Sequence, residues 1–375
     1  MSVDFTKLAA PAVLGLTPYV PGKPLGELER ELGIADSVKL ASNENPLGPS
    51  AKAVAAATSA LRAVRLYPDG NGHELRQALA RFHAVPPECI TLGNGSNDLL
   101  VMLAEAFLTP DVEAVYSDYC FAVYPLAVQA TGATAKVAPA FGRDAAMPLG
   151  HDLEALRAAV TARTRLVFLA NPNNPTGTWV GGGELKRFLA SLPATTLAVA
   201  DEAYCDYGRS VGCPDASAWL AEFPNLVVVR TFSKAYGLAG LRIGYGLSHP
   251  QVAELLNRVR QPFNVNAVSL AAASAALEDR GHVESVAALN RAGIERLTEG
   301  CRALGVKPFP SAANFVLVDC GRAAAPVYES LLRAGVIVRP MTGYGLPNCL
   351  RITTGTREQD ERCLEALGAA LRDRA

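Results

Sequence analysis

The chain has 375 residues, half of them hydrophobic, which suits one large core or two modest ones and leads us to expect about two domains. Lys and Arg number 35 against 36 Asp and Glu, leaving a net charge of −1. That balance excludes the electrostatic footprint of a nucleic-acid or acidic-membrane binder, and a small molecule is the expected partner.

The first fifty residues are rich in Pro, Gly and Asn, as in Thr17-Pro18-Tyr19-Val20-Pro21-Gly22-Lys23-Pro24 and Ser42-Asn43-Glu44-Asn45-Pro46. Such a stretch favours extended chain and turns over helix, and it is read as an arm lying over the rest. From about Ser50, Ala-rich helices alternate with short apolar runs. Leu166 to Ala170, Leu197 to Ala200 and Leu226 to Val229 are continuously apolar, the pattern of buried parallel strands. Each ends in a polar cluster: Asn171-Pro172-Asn173-Asn174, Asp201-Glu202-Ala203-Tyr204, and Arg230-Thr231-Phe232-Ser233-Lys234. Sheets of this kind place ligands at the carboxyl ends of their strands, so the three clusters should converge on one crevice.

Beyond Gln261 a long helical stretch from Val268 to Leu304 is expected, then strands at Asn314 to Val318 and Val336 to Arg339, and a last helix near Glu358 to Arg372. The fold class is α/β, with a mostly parallel central sheet between helices plus a smaller α+β domain. We expect residues 50–260 to form the large domain, and residues 1–49 with 261–375 the smaller one. Eight cysteines without a CxxC pair are read as reduced thiols of a cytoplasmic protein. Five histidines without ligand spacing give no support for a metal, and no apolar stretch is long enough to span a bilayer.

Lys234 follows a buried strand, where lost hydration and neighbouring cations lower an amine's pKa and suit it to Schiff-base chemistry. An arbitrary lysine is more often a surface residue; the surrounding residues decide here. Asp201, at a strand end, can face a pyridine nitrogen, although Asp after a strand is also a common helix cap. Asn174 and Tyr204 at neighbouring strand ends can donate to a ring oxygen. Gly93-Asn94-Gly95-Ser96-Asn97 permits close backbone approach and opens a helix whose amides favour a phosphate. Thr231, Ser233 and Arg242 add donors to the same group.

Asn171-Pro172-Asn173-Asn174-Pro175-Thr176-Gly177, Asp201-Glu202-Ala203-Tyr204, Ser233-Lys234 and Gly240-Leu241-Arg242-Ile243-Gly244 occur in this order. With them the chain resembles the class I/II aminotransferases of the aspartate aminotransferase fold over nearly its whole length. Leu16-Thr17-Pro18-Tyr19, Ser42-Asn43-Glu44-Asn45-Pro46, Leu66-Tyr67-Pro68-Asp69-Gly70 and Cys349-Leu350-Arg351-Ile352-Thr353 bring it nearest to the histidinol-phosphate aminotransferases.

The resemblance implies pyridoxal 5'-phosphate bound by Lys234, with Lys234, Asp201 and Tyr204 catalytic. It places Gly95, Ser96, Asn97, Thr231, Ser233 and Arg242 around the cofactor phosphate. Phe121 would stack on the ring, with Tyr119 as the alternative. Tyr67 would reach the phosphate of a neighbouring subunit, implying a homodimer with shared active sites. Arg351 would hold the carboxylate of glutamate or 2-oxoglutarate, Arg339 the phosphate of histidinol phosphate, and Tyr19 would close over the substrate beside Asn174. The implied role is histidine biosynthesis. An aromatic amino-acid aminotransferase and a threonine-phosphate decarboxylase are the alternatives on the same scaffold. A cofactor-sensing transcription regulator would need a DNA-binding module, which the near-neutral chain does not suggest.

Overall fold

The computed structural model describes residues 3–372. Leu226–Thr231 is buried at every position, and Thr164–Ala170 and Leu197–Asp201 at all but one each. Side chains alternate between faces along a strand, so a run apolar at every position needs cover on both sides. Two clusters provide it: Val167, Leu169, Ala198, Ala200 and Val228 pack on one face, Leu166, Phe168, Val199, Val227 and Val229 on the other.

These strands are parallel neighbours in a seven-stranded sheet. Its order is Ile90–Gly93, Gly244–Leu247, Leu226–Thr231, Leu197–Asp201, Thr164–Ala170, Glu113–Ser117, Thr134–Ala138. Gly244–Leu247 alone runs antiparallel to its neighbours. The strand order reverses between Glu113–Ser117 and Thr164–Ala170, which opens a crevice at their carboxyl ends.

A second, antiparallel sheet has the order Arg339–Pro340, Cys349–Thr353, Phe315–Asp319, Lys307–Pro308. Val316, Val318, Leu350 and Ile352 on its buried face meet Leu297, Cys363 and Leu367 from two long helices. A short parallel pair joins Val38–Lys39 to Val336–Ile337.

Three expectations are corrected. The helical stretch after residue 267 is two helices, Ala267–Leu277 and Arg280–Ala303. The first buries Ala272, Ala273 and Ala276 in the larger sheet's cluster, whereas the second sends Leu297 and Cys301 to the smaller one. The apolar face changes partner, and the chain turns at Glu278-Asp279 to allow it. Packing around the larger sheet therefore continues past residue 260. Second, Val336 to Arg339 is not one strand: Val336–Ile337 and Arg339–Pro340 belong to different sheets, with buried Val338 between them. Third, the arm contains a helix, Leu25–Leu32, which starts after Pro24 and stops at Gly33, whose φ is +69°. It anchors through Leu28, packed with Ala41 and Ile337.

Among the described residues no helix is long and apolar enough to cross a membrane, and no His, Cys, Asp and Glu group could hold a metal ion.

Candidate active site

Lys234 stands three residues beyond the last strand residue, Thr231, in a turn that the sequence shapes closely. Ser233 donates its backbone N–H to Thr231 Oγ1 at 3.1 Å. Gly237 closes the turn at φ +71°, and a Cβ there would collide with the Gly48 carbonyl. The half-buried Lys234 Nζ donates to Ser42 O at 3.2 Å and lies 5.7 Å from the centre of the Tyr204 ring. Loss of hydration, reinforced by the Arg351 cation, holds its pKa down to about 8. At neutral pH such an amine keeps a usable fraction of its free base.

Asp201 ends its strand at 4% exposure. Tyr124 donates its hydroxyl to Asp201 Oδ2 at 2.8 Å, and Ala203 N–H meets Oδ1 at 3.2 Å. No cation pairs directly with this carboxylate among the described residues, and burial raises its pKa. A buried acid so arranged suits a proton held on a ligand nitrogen.

Asn174 and Tyr204 flank the crevice. Arg351 donates from Nη1 to Asn174 Oδ1. A guanidinium has no acceptor, so the amide's Nδ2 side is left to donate into the site. The Tyr204 oxygen receives Asn43 Nδ2 at 2.7 Å, and burial pushes its pKa up to about 12, so it stays a protonated donor at neutral pH.

The other end of the crevice is a cradle of amides. No side chain caps helix Ser96–Phe107, and Gly95 before it has φ +82°. Asp98 instead accepts the N–H of Asn94 at 2.8 Å, leaving the amides of Ser96 and Asn97 at the open helix end. A Cβ on Gly95 would strike Arg242 Nη2, and one on Gly244 would strike Ser96 N. Arg242 turns towards this point at φ +55° and donates Nη1 to Ser233 Oγ at 3.3 Å. The glycines thus let backbone amides, two hydroxyl residues (Thr231 and Ser233) and a guanidinium share one small volume, which suits a phosphate.

The second sheet contributes cations. Arg351 is 6% exposed, donates Nη2 to Ala41 O at 2.9 Å, and leaves its Nε unsatisfied. It lies 5.0 Å over Phe315, and its side-chain partners among the described residues are an amide and a carbonyl, with no carboxylate. Arg339 is its directly opposite neighbour in the strand pair, donates to Val20 O at 2.6 Å and sits 5.5 Å over Tyr19. A buried unpaired guanidinium is costly unless an anion arrives to meet it.

Lys234, Asp201, Tyr204, Asn174 and Arg351 therefore come together, with Gly95, Ser96, Asn97, Thr231, Ser233 and Arg242 at the phosphate-like end. Phe121 is partly buried, edge-on to Tyr124 with ring centres 6.0 Å apart. Tyr119 has φ +47°, and its carbonyl accepts Asn173 Nδ2 at 2.9 Å. Tyr19 is half-exposed beside Arg339. Tyr67 is 82% exposed and stacks on Phe263 at 4.7 Å, on the surface of this chain. Sequence reasoning missed Tyr124, Ser42 and Asn43 as site partners. Tyr124 had a signal, since it lies three residues after Phe121, at the start of helix Val123–Ala130, and its ring meets that of Phe121 edge-on.

A crevice at the strand-order reversal, an amine of lowered pKa, a buried carboxylate and a phosphate cradle define a cofactor-dependent enzyme site of a known kind. The chain matches the family described as aminotransferase class I and II over residues 35–367, and it belongs to that family. It is 56% identical over 369 residues to histidinol-phosphate aminotransferase 2 of Methylococcus capsulatus, covering 98% of this chain and 100% of that protein. The crystal structure of histidinol-phosphate aminotransferase from Sinorhizobium meliloti in complex with pyridoxal-5'-phosphate superposes with a TM-score of 0.87 at 32% identity, covering 98% of each chain. A Thermus thermophilus aspartate aminotransferase double mutant gives 0.83 at 26% identity over 96% of this chain and 99% of that one. The fold is that of aspartate aminotransferase, and the enzyme is a transaminase working on amino and keto acids.

Proposed function

We propose that the enzyme binds pyridoxal 5'-phosphate and moves an amino group from L-histidinol phosphate to 2-oxoglutarate. The products are imidazole-acetol phosphate and L-glutamate, in histidine biosynthesis. The observation that carries this reading is the facing pair Arg339 and Arg351, two cations with no carboxylate partner among the described residues, beside the crevice. Both substrates are anions. The names of the similar proteins agree with this choice.

The cofactor fits on two features: the glycine-lined cradle into which Arg242 and the Ser96 amide project, and the carboxylate of Asp201, which has no salt-bridge partner among the described residues. When bound, it supplies an electron sink and carries the amino group. Lys234 would hold it and would serve as the base and acid that takes and returns a proton at the substrate carbon. Asp201 keeps a proton on the ring nitrogen. Tyr204 and Asn174 donate to the ring oxygen, and Phe121 covers one ring face. Gly95, Ser96, Asn97, Thr231, Ser233 and Arg242 hold the phosphate, joined by Tyr67 of a neighbouring subunit in a homodimer. Arg351 orients the glutamate or 2-oxoglutarate carboxylate, and Arg339 with Tyr19 the phosphate of histidinol phosphate.

The same proposal includes a two-domain division, residues 50–260 as the larger unit and residues 1–49 with 261–375 as the smaller, helix Ala267–Leu277 packing back onto the larger unit's sheet. It also includes a cytoplasmic location, consistent with eight free thiols.

The test is an absorption spectrum of the purified protein with cofactor. A visible band lost on adding L-histidinol phosphate and restored by 2-oxoglutarate is the expected outcome. A band unmoved by that donor but bleached by phenylalanine would overturn the substrate assignment in favour of an aromatic amino acid.

A further inference from the structure

The hydroxyl of Tyr204 meets a chain of hydrogen bonds whose direction is set at the buried Thr353 hydroxyl. The backbone N–H of Asn43 can only donate, and it points at Thr353 Oγ1 over 3.0 Å. Thr353 Oγ1 is also 3.1 Å from Asn43 Oδ1. That oxygen could accept a second hydrogen bond, but its own proton, on a residue only 2% exposed, has no other acceptor among the described residues, so it is given to Oδ1. This orients the Asn43 amide and turns its Nδ2 towards the Tyr204 oxygen at 2.7 Å. An amide nitrogen cannot accept, so the tyrosine oxygen must, and its own proton remains to be given elsewhere.

Asn43, Thr353 and Tyr204 are 1%, 2% and 4% exposed, so bulk water does not compete for these bonds. Asn43 is held at φ +57°, a conformation that Asn tolerates better than most residues, and its carbonyl accepts Asn314 Nδ2 at 3.0 Å. Thr353 lies two residues from Arg351 on the same strand and face.

We propose that Asn43 and Thr353 are positioning residues: they form a one-way relay that keeps the Tyr204 proton free for the cofactor's ring oxygen. The inference rests on the pyridoxal-phosphate reading above. A phenol that accepts a hydrogen bond is also a stronger donor. Donation to the ring oxygen favours its anionic form, so the relay lowers the pH at which the bound cofactor's visible band changes.

The test is a pH titration of that band in Asn43→Asp, Thr353→Val, Tyr204→Phe and the double variant Asn43→Asp with Tyr204→Phe. Asp suits the same backbone conformation but cannot donate, and Val keeps the shape of Thr without its hydroxyl. Each single variant should move the transition up, Asn43→Asp by about half to one pH unit, the worth of one hydrogen bond. In the Tyr204→Phe background the Asn43→Asp shift should shrink to the residue left by added charge. Transitions unmoved in both Asn43→Asp and Thr353→Val, beside a normal band, would overturn the relay alone. A shift undiminished in the Tyr204→Phe background would also overturn it. A wild-type protein without any visible band after cofactor addition would overturn the cofactor reading and the relay with it.

Discussion

Arg339 and Arg351 face each other directly across an antiparallel strand pair, like charge opposite like charge. Such a pair is disfavoured on its own and becomes favourable once an anion lies between the two guanidinium groups. Arg351→Ala should lower kcat/KM for 2-oxoglutarate about 10- to 150-fold, the worth of one charged hydrogen-bonded contact. Arg339→Ala should reduce kcat/KM mainly for the phosphate-bearing amino donor. Half-reaction kinetics with each substrate separately check the split.

Lys234 is protonated in surroundings that disfavour charge, with its pKa held near 8 against 10.5 for an ordinary lysine. Below about pH 8 both folded and unfolded chains carry the proton, and the folded cofactor-free protein bears the full cost. As pH rises towards 10.5 the folded state loses the proton first and the cost fades. Lys234→Met should therefore stabilise the cofactor-free protein at pH 7 by about 1–3 kcal/mol. That advantage should shrink at pH 10, as read by chemical denaturation. The same substitution should abolish transamination.

Asp201 keeps its carboxylate with help from Tyr124 and the Ala203 amide. Asp201→Asn should cut kcat by about 10²- to 10³-fold, the usual loss when a buried electrostatic stabiliser is removed. Tyr124→Phe leaves Oδ2 without its donor and should cost about 1 kcal/mol of folding stability, with a smaller loss of kcat. Thermal melts and steady-state rates measure both.

Gly95 sits where any side chain would displace Arg242. Gly95→Ala should weaken cofactor binding at least about tenfold, or 1.4 kcal/mol, by equilibrium titration. The collision falls on the flexible end of an arginine, but the φ of +82° strains any side chain, so folding stability should also fall by about 1–3 kcal/mol.

Behind the site, Arg230 donates Nε and Nη2 to Glu202 Oε2 at 3.0 and 2.6 Å, with side chains only 5% and 1% exposed. Glu202 Oε1 also accepts the Ala216 N–H at 2.7 Å. Arg230→Met would strand a buried carboxylate and should destabilise the protein by about 3–5 kcal/mol, seen as a lowered urea midpoint.

Much of the larger sheet was legible in the sequence, because a strand covered on both faces has to be apolar at every position. Leu226 to Val229 has no other economical reading. The polar clusters after such strands were legible for a related reason, since strand ends are where a sheet meets solvent or ligand. Residues whose role depends on distant chain were not. Asn43 reaches Tyr204 across 161 positions and Thr353 across 310, and nothing local distinguishes it from other turn-forming asparagines. The split between Ile337 and Arg339 was hidden too, because a four-residue β-prone run does not say that its two halves pair with different strands. Glu278-Asp279 likewise looked like ordinary helix until the identity of its neighbours was known.

Lys234 and Asp201 are rooted in the seven-stranded sheet, Arg339 and Arg351 in the four-stranded one. The arginines proposed to bind anions thus stand on a different sheet from the proposed proton-transfer groups, and the contacts between the two sets run through Arg351 and Thr353. Over evolutionary time, changes near residue 339 or in the loop between Pro340 and Cys349 can alter which amine donor is accepted without disturbing the lysine's surroundings. Divergence of preference within such a scaffold then requires only local edits at the rim, while the reactive machinery is inherited intact.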